Sequence, residues 1–329
     1  MSNAELSILM LAYNSQDYIK DAIKSLLNQS FSNFELIVID DHSTDNTAEI
    51  INSFNDKRIC YVLNNENKGI VYSRNLALNM AKGTFVAFFD SDDLAHPKKF
   101  QKQIEFLKKN PKYGFVGTSV ILIDKNDLEI DRWKINAPYK KILPRMIFHN
   151  YFVNSSVVFY KDIVKDFSYP ENHDIVEDYA LWWWLITKTP AINIPEYLTC
   201  YRIHKNSIIH QNIEKKNNYE SKIYKIILRN IGIEPSEENL TIHISLKDKS
   251  LITSLSQQRK NRDWLLRITK HAQKTPNFYA LATISFVLNR WFKVCYKSRS
   301  NPFLFLNGIF QIRFFISLFI YFIQWNKKN

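Results

Sequence analysis

Thr84 to Asp93 reads T-F-V-A-F-F-D-S-D-D. Phe85 to Phe89 is a continuous apolar run, and it stops abruptly at Asp90, Asp92 and Asp93. A run of that length, rich in aromatics, fits a strand buried on both faces. Such strands belong to parallel sheets covered by helices, where ligands sit outside the carboxyl ends of the strands. Carboxylates gathered there repel one another unless a cation joins them. Hard divalent ions such as Mg²⁺ prefer carboxylate, water and phosphate oxygens. The stretch therefore points to a metal at a strand end, placed to bridge a diphosphate. It fits equally a solvated acidic turn that caps the next helix.

The preceding residues repeat one pattern. Leu6 to Tyr13 reads as a strand, and no signal peptide is expected there. After Asn14 and Ser15, a helix carries Tyr18, Ile19, Ala22, Ile23, Leu26 and Leu27 on one face. Phe34 to Ile39 is a second buried strand ending in Asp40-Asp41-His42-Ser43, followed by a helix over Thr44–Phe54. Ile59–Leu63 is a third strand, Asn64–Gly69 a turn, and Ile70–Ala81 a third helix. Alternating strands and helices at this spacing predict a parallel sheet with right-handed crossovers. Lys98–Lys109 reads as a helix, Phe115–Ile123 and Asn154–Tyr160 as strands, and residues 124–150 as less regular.

The chain contains only six glycines, with no G-x-G-x-x-G after the first strand and no G-x-x-x-x-G-K-[ST] anywhere. The two common backbone phosphate cradles are absent, which argues against a nicotinamide-dependent oxidoreductase. A bound nucleotide would need its phosphates neutralised by a metal or by basic side chains. Glu177 and Asp178 open a helix carrying Trp182, Trp183 and Trp184. Carboxylates also suit that position through the helix dipole alone. Two of the three tryptophans are expected in the core. Arg202 and His204, two apart on an extended stretch, point the same way and would meet a phosphate.

These pieces together resemble a family-2 glycosyltransferase with the GT-A fold, of the bacterial surface-polysaccharide type. The resemblance covers about Leu6 to Ser207. It rests on Ser7-Ile-Leu-Met-Leu-Ala-Tyr-Asn14, the stretch from Gln29 to Asp45, Asn67-Lys-Gly69 with Arg74-Asn75, Phe89-Asp-Ser-Asp-Asp93, Glu177-Asp178 and Tyr201-Arg-Ile-His204. It implies an α/β sheet with flanking helices, a nucleotide-diphosphate sugar donor (a UDP-sugar in this reading) and a Mn²⁺ or Mg²⁺ ion. It implies that Ala12 and Tyr13 lie against the base, that Asp41 with Asp40 beside it accepts from the base imide, and that Arg74 lies near the nucleotide. Asp90 would sit near ribose and metal, and Asp92 would ligate the metal. Asp178 would be the general base for an acceptor hydroxyl, and Arg202 and His204 would lie near the diphosphate. One base without a second nucleophile implies direct displacement with inversion. His42 departs from the pattern, since the family usually has Gly or another small residue there. The alternative is a non-catalytic module of the same fold that binds a nucleotide or glycan and tethers to membrane.

Charge divides the chain. The formal net charge of +12 splits into −2 for residues 1–214 and +14 for residues 215–329. The expected organisation is a catalytic domain over 5–214 and a basic, mostly helical region over 215–329. Helices are expected at Asn217–Asn230, Ser250–Lys274 and Asn277–Tyr296. Phe303 to Trp325 is long enough to span a bilayer, yet Arg313 sits near its middle. A helix lying on an anionic membrane surface, a helix buried in the core or in a homodimer, and a true span all remain open. Basic flanks at Lys293, Lys297, Arg299, Lys327 and Lys328 suit anionic headgroups. No nucleic-acid motif accompanies the charge. The expected partners are a nucleotide-sugar donor, a glycan or lipid-linked glycan acceptor, and an anionic membrane. Cys60, Cys200 and Cys295 lack metal-type spacing, and three is an odd number, which suits a reduced, cytoplasmic protein peripheral on the inner face of the cell membrane.

Overall fold

A computed structural model describes residues 4–170, 176–204, 213–247, 253–275, 280–299, 301–304, 306–308 and 311. The chain divides into two compact units, Met1–Pro138 with Tyr151–Tyr219, and Tyr139–Asn150 with Glu220–Asn329.

The first unit is built on a mixed sheet. Its strands are β1 (Leu6–Ala12), β2 (Phe34–Asp40), β3 (Ile59–Leu63), β4 (Phe85–Phe88), β5 (Leu94–Ala95), β6 (Phe115–Ile123), β7 (Glu129–Trp133), β8 (Val158–Tyr160) and β9 (Ala191–Arg202). They run in the order β3-β2-β1-β4-β8-β6-β9-β5, and β7 pairs with β6. The half from β3 to β4 is parallel, and β8 joins both β4 and β6 antiparallel. The parallel half carries helices α1 (Ile19–Leu27), α2 (Thr47–Asn52) and α3 (Ile70–Met80). Helix α4 (Lys99–Lys109) follows β5, and α6 (Glu177–Lys188) precedes β9. Burial on both faces explains why β4 is apolar throughout and β1 is apolar except at Ser7. Leu6, Ile8, Met10, Ala12, Phe85, Ala87 and Phe89 share one core cluster with Ile19, Ile23 and Leu26 of α1 and Phe100, Ile104 and Leu107 of α4. Phe88, of opposite parity, packs instead on Phe159 and Tyr169.

The irregular stretch expected at 124–150 contains β7 and a short helix α5 (Tyr139–Arg145). Asn154–Ser156 is a 3-10 turn, with β8 starting only at Val158. Its polar side chains face the acidic turn after β4, which a strand would not allow. Trp182 and Trp183 are buried as expected, beside a partly buried Trp184.

The second unit contains α5, most of α7 (Ile213–Asn230), α8 (Glu237–Lys247), α9 (Leu255–Ala272) and α10 (Ala280–Lys297). Helix α8 has no strong apolar stripe in its sequence and was not expected. No helix among the described residues is long and apolar enough to cross a membrane. The first part of the apolar C-terminal segment packs on α9 and α10. Gln258 Nε2 donates to the Leu304 carbonyl at 2.7 Å, and Trp291 Nε1 donates to the Gly308 carbonyl at 3.0 Å. Residues 312–325 of that segment lie outside the described residues.

His243 sits at the centre of this unit, wholly buried. Its ring stacks on Phe148 with centroids 4.3 Å apart. Nε2 donates to the Ile147 carbonyl at 2.9 Å, and Nδ1 accepts from Trp264 Nε1 at 3.3 Å. Those partners fix the neutral tautomer, and burial pushes the imidazole down to about 3. The unfolded chain binds this proton below about pH 6.5 and the folded chain does not, so the stabilisation is complete above that pH and is lost as pH falls toward 3. A His243→Phe variant is expected to be less stable than wild type at pH 7, because Trp264 Nε1 and the Ile147 carbonyl lose their partner. Its melting temperature should then fall less steeply between pH 7 and pH 4, as followed by circular dichroism.

Candidate active site

The carboxyl ends of β1, β2 and β4 lie side by side, and each ends in polar residues. At the end of β2 the chain must reverse within a few residues. His42 takes φ of 66°, the left-handed region that glycine enters freely. That conformation accounts for the small residue usual at this position. The His42 imidazole reaches the Asn64 carbonyl at 3.2 Å, a contact glycine would lack. Asp40 is buried; it accepts from Ser43 N at 2.8 Å and from the Tyr61 hydroxyl at 3.0 Å. Asp41 accepts from Lys68 N at 2.9 Å, Gly69 N at 2.8 Å and Asn64 Nδ2 at 2.6 Å. Both carboxylates therefore shape the loops around the site, Asp41 by fastening the turn that opens α3. Ala12 is buried, and its carbonyl accepts from Asp41 N at 2.9 Å. Tyr13 is 51% exposed, an open ring just past the end of β1.

Asp90 is held by the 3-10 turn. Asn154 Nδ2 donates to it at 2.7 Å, and the Ser155 hydroxyl at 3.2 Å. Arg74 reaches it at 3.9 Å from beneath. The Arg74 guanidinium is almost fully buried over the Phe88 ring, and its main partner is Glu177 at 2.8 Å. Burial pushes the Glu177 carboxyl up to about 7, against the pull of Arg74. Arg74 thus ties the end of β4 to the start of α6. Nothing in local spacing signals a partner 103 residues away: the sequence offers Glu177 only as a carboxylate at a helix start, and gives Asn154 and Ser155 no role. Asp178 follows Glu177 in the first turn of α6, half-buried, with its carboxylate accepting from Tyr179 N at 2.6 Å.

Asp92 and Asp93 are held from the other side, by β9. Arg202 is 3% exposed. Its Nε donates to the Asp92 carbonyl at 2.7 Å, Nη1 to the Asp124 carbonyl at 3.0 Å, and its backbone N–H to Asp93 Oδ1 at 2.8 Å. It also pairs with Asp127 at 2.6 Å and lies 4.6 Å above the Tyr18 ring. His204 Nε2 meets Asp92 Oδ2 at 2.8 Å, and its ring packs on Tyr18. Burial raises the Asp90 and Asp93 carboxyls, and the negative field of Asp92 adds to both shifts. Asp93 Oδ2 has no hydrogen-bond partner.

No three His, Cys, Asp or Glu side chains among the described residues form a closed metal cage. The donor chemistry nonetheless suits a hard cation: crowded carboxylates push one another toward protonation, and Asp92 keeps 28% of its side chain exposed. Mg²⁺-like ions commonly take one or two carboxylates and complete their shell with water and substrate phosphates.

This arrangement has close counterparts among known proteins. The profile of glycosyl transferase family 2 matches residues 7–216. The chain belongs to that family. Its sheet and helices are the GT-A fold, followed by a helical C-terminal region. It is 34% identical over 231 residues to the Escherichia coli UDP-Glc:alpha-D-GlcNAc-diphosphoundecaprenol beta-1,3-glucosyltransferase WfaP, covering 70% of this chain and 87% of that one. The structure of Staphylococcus aureus TarS 1-349 in complex with UDP-GlcNAc superimposes with a TM-score of 0.59 at 18% identity, covering 94% of this chain and 91% of that one. The Pyrobaculum calidifontis mannosyltransferase PcManGT, in complex with GDP-Man and Mn²⁺, gives a TM-score of 0.54 at 15% identity over 94% and 87% of the two chains.

In this glycosyltransferase the Arg74–Glu177 pair makes a sharp prediction. Arg74→Ala leaves a buried carboxylate without its cation, which costs about 3–5 kcal/mol. Arg74→Lys is expected to recover only part of that, because an ammonium cannot make the two-pronged contact. Urea denaturation of the three proteins checks both.

Proposed function

We propose that the enzyme transfers a sugar from a UDP-sugar to a hydroxyl of a lipid-diphosphate-linked saccharide, with inversion at the anomeric carbon. Such acceptors are intermediates of bacterial surface-polysaccharide assembly. The observation that carries the reading is the placing of two acidic groups within reach of one another. Arg74 joins the two, 3.9 Å from Asp90 and 2.8 Å from Glu177, the residue before Asp178 at the start of α6. One group suits the leaving diphosphate and the other the attacking hydroxyl. The donor and acceptor named for WfaP support the choice of substrates.

In this reading the base of the donor lies against Ala12 and the open ring of Tyr13, with Asp41 at the imide edge. Asp90 faces the ribose. Asp92 would hold Mn²⁺ or Mg²⁺, which would supply positive charge toward the leaving diphosphate. Arg74 and Arg202 act from below: they fix Asp90 and Asp92 rather than contacting the donor. His204 orients the Asp92 carboxylate. Asp178 accepts the proton of the acceptor hydroxyl, whose oxygen forms the new bond to the anomeric carbon. The bond from that carbon to the diphosphate oxygen breaks on the opposite face, and its electron pair leaves with UDP.

Asp178→Asn is expected to slow turnover by about two to four orders of magnitude with donor affinity unchanged. If Asp178 serves only the helix start, the variant instead loses about 1 kcal/mol of stability and keeps its activity. UDP release with UDP-glucose and a synthetic GlcNAc-diphosphate lipid, measured beside the melting temperature, separates the two.

A lipid-linked acceptor requires a membrane, and the second unit offers a surface suited to one. After Asp263 the chain carries ten Lys and Arg and no Asp or Glu. Phe292 and Tyr296, 47% and 49% exposed, stack one helical turn apart on α10. Lys293, Lys297 and Arg299 are exposed around them. Aromatic rings with basic neighbours suit an anionic headgroup layer, and we place the enzyme there as a peripheral protein. Full-length protein should sediment with phosphatidylglycerol vesicles at low salt. Replacing Phe292 and Tyr296 by Ser and Lys293 by Glu should abolish this, whereas unchanged sedimentation would remove this surface from the reading.

A further inference from the structure

The β6–β7 hairpin carries a feature that neither the carboxylate turn nor the donor uses. All five residues of β7 are exposed. Trp133 at its end is 44% exposed, although a tryptophan on an edge strand is costly to leave in water. Its indole stacks on the Tyr201 ring, with centroids 6.1 Å apart and planes 26° apart. The register accounts for the contact. Trp133 pairs with Val120 on one side of β6, and Tyr201 pairs with Leu122 on the other. Residues paired across strands share a face, and Val120 and Leu122 share theirs by parity, so the two rings meet over the middle strand.

Where this pair sits matters more than its packing. Tyr201 directly precedes Arg202, the residue fastened to the Asp92 carbonyl. Its neighbours on β9 meet the acidic turn: Cys200 pairs with Leu94, and the Arg202 N–H is held by Asp93 Oδ1 at 2.8 Å. The ring therefore lies at the strand end that borders the Asp90–Asp93 turn. Trp133 extends that apolar surface outward from it. Covering Val120 and Leu122 explains the inner side of the indole. It does not explain the open side.

We propose that Trp133 and Tyr201 form an aromatic platform that binds the face of the acceptor's pyranose ring. The ligand class is a saccharide with an apolar C–H face, and the inference rests on the acceptor reading above. Rings lining a site with a few convergent polar groups are the usual construction of a small-molecule subsite. A stacked ring fixes the plane of the sugar while leaving its hydroxyls free, so one hydroxyl is turned toward Asp178. Trp133 and Tyr201 are thus specificity-determining residues for the acceptor, with no part in donor binding.

The test compares wild type, Trp133→Ala and Trp133→Phe, using UDP-glucose and a synthetic short-chain GlcNAc-diphosphate lipid. Trp133→Ala should raise the KM for the acceptor about tenfold, the change that 1.4 kcal/mol of lost contact produces. Donor KM, UDP-glucose hydrolysis in the absence of acceptor and melting temperature should stay at wild-type values. Trp133→Phe should recover most of the acceptor affinity. An unchanged acceptor KM in Trp133→Ala, or equal loss in both variants, overturns the platform. Binding is read separately by saturation-transfer NMR with the same acceptor, whether or not it is turned over. Magnetisation reaching the pyranose C–H protons in wild type and lost in Trp133→Ala supports the proposal, and none in wild type overturns it. Absence of turnover with intact saturation transfer would sink the reaction assigned above while leaving the platform standing.

Discussion

Three carboxylates within four residues repel one another, and the architecture of the first unit answers that repulsion from two sides. Arg74 comes from α3 and meets Asp90 and Glu177; Arg202 comes from the end of β9 and grips the backbone of Asp92. Neither arginine is exposed enough to be mainly a ligand for substrate. A buried guanidinium with several fixed acceptors is a rigid strut, because its planar fork loses little freedom per bond formed. Both struts are long-range. They bring the parallel half of the sheet, the acidic turn and the later elements α6 and β9 to one place.

The strand and helix pattern of the parallel half was legible because each strand is short, mostly apolar and bounded by turn residues. Phe85–Phe89 could be nothing exposed, and the register of β1 with β2 and β4 follows from burial on both faces. The mixed half was less legible. β5 has only two residues, and β8 follows a polar 3-10 turn that reads in sequence as part of the strand. β7 is exposed at every position, so no alternation marks its inner face. Helix α8 was missed for the opposite reason: its apolar residues fall all round it, and its burial depends on partners remote in sequence.

The site shows the same division between what spacing reveals and what contact decides. Clustered acids at a strand end announce themselves, as do two acids at a helix start. Which acid does what is invisible in sequence. Glu177 and Asp178 are neighbours of the same chemical type, yet one is buried against Arg74 and the other is half-open. Arg202 was expected to face a phosphate, as its alternation with His204 suggested. The structure places its guanidinium among backbone carbonyls and over Tyr18. His42 is the reverse case: an imidazole where the backbone takes the left-handed conformation that glycine enters most freely.

Lys99 completes the charge balance from below. It is wholly buried, with its ammonium 4.1 Å from the centre of the Phe100 ring and 5.4 Å from that of Phe89. Burial drives it down to about 7, and the nearby Asp93 opposes that fall. Nζ has no hydrogen-bond partner, so aromatic faces and one carboxylate provide the stabilising contacts. Asp93 therefore lies between a cation beneath it and the like charges of Asp90 and Asp92 above. Its Oδ1 fixes the backbone of Arg202, and Arg202 fixes the backbone of Asp92. The position of the half-buried Asp92 carboxylate thus depends on polar contacts that run from Asp93 to Arg202 and from Arg202 back to the turn. Such a chain holds only while each link keeps its partner, because a buried polar group left unpaired costs more than the bond it made contributes.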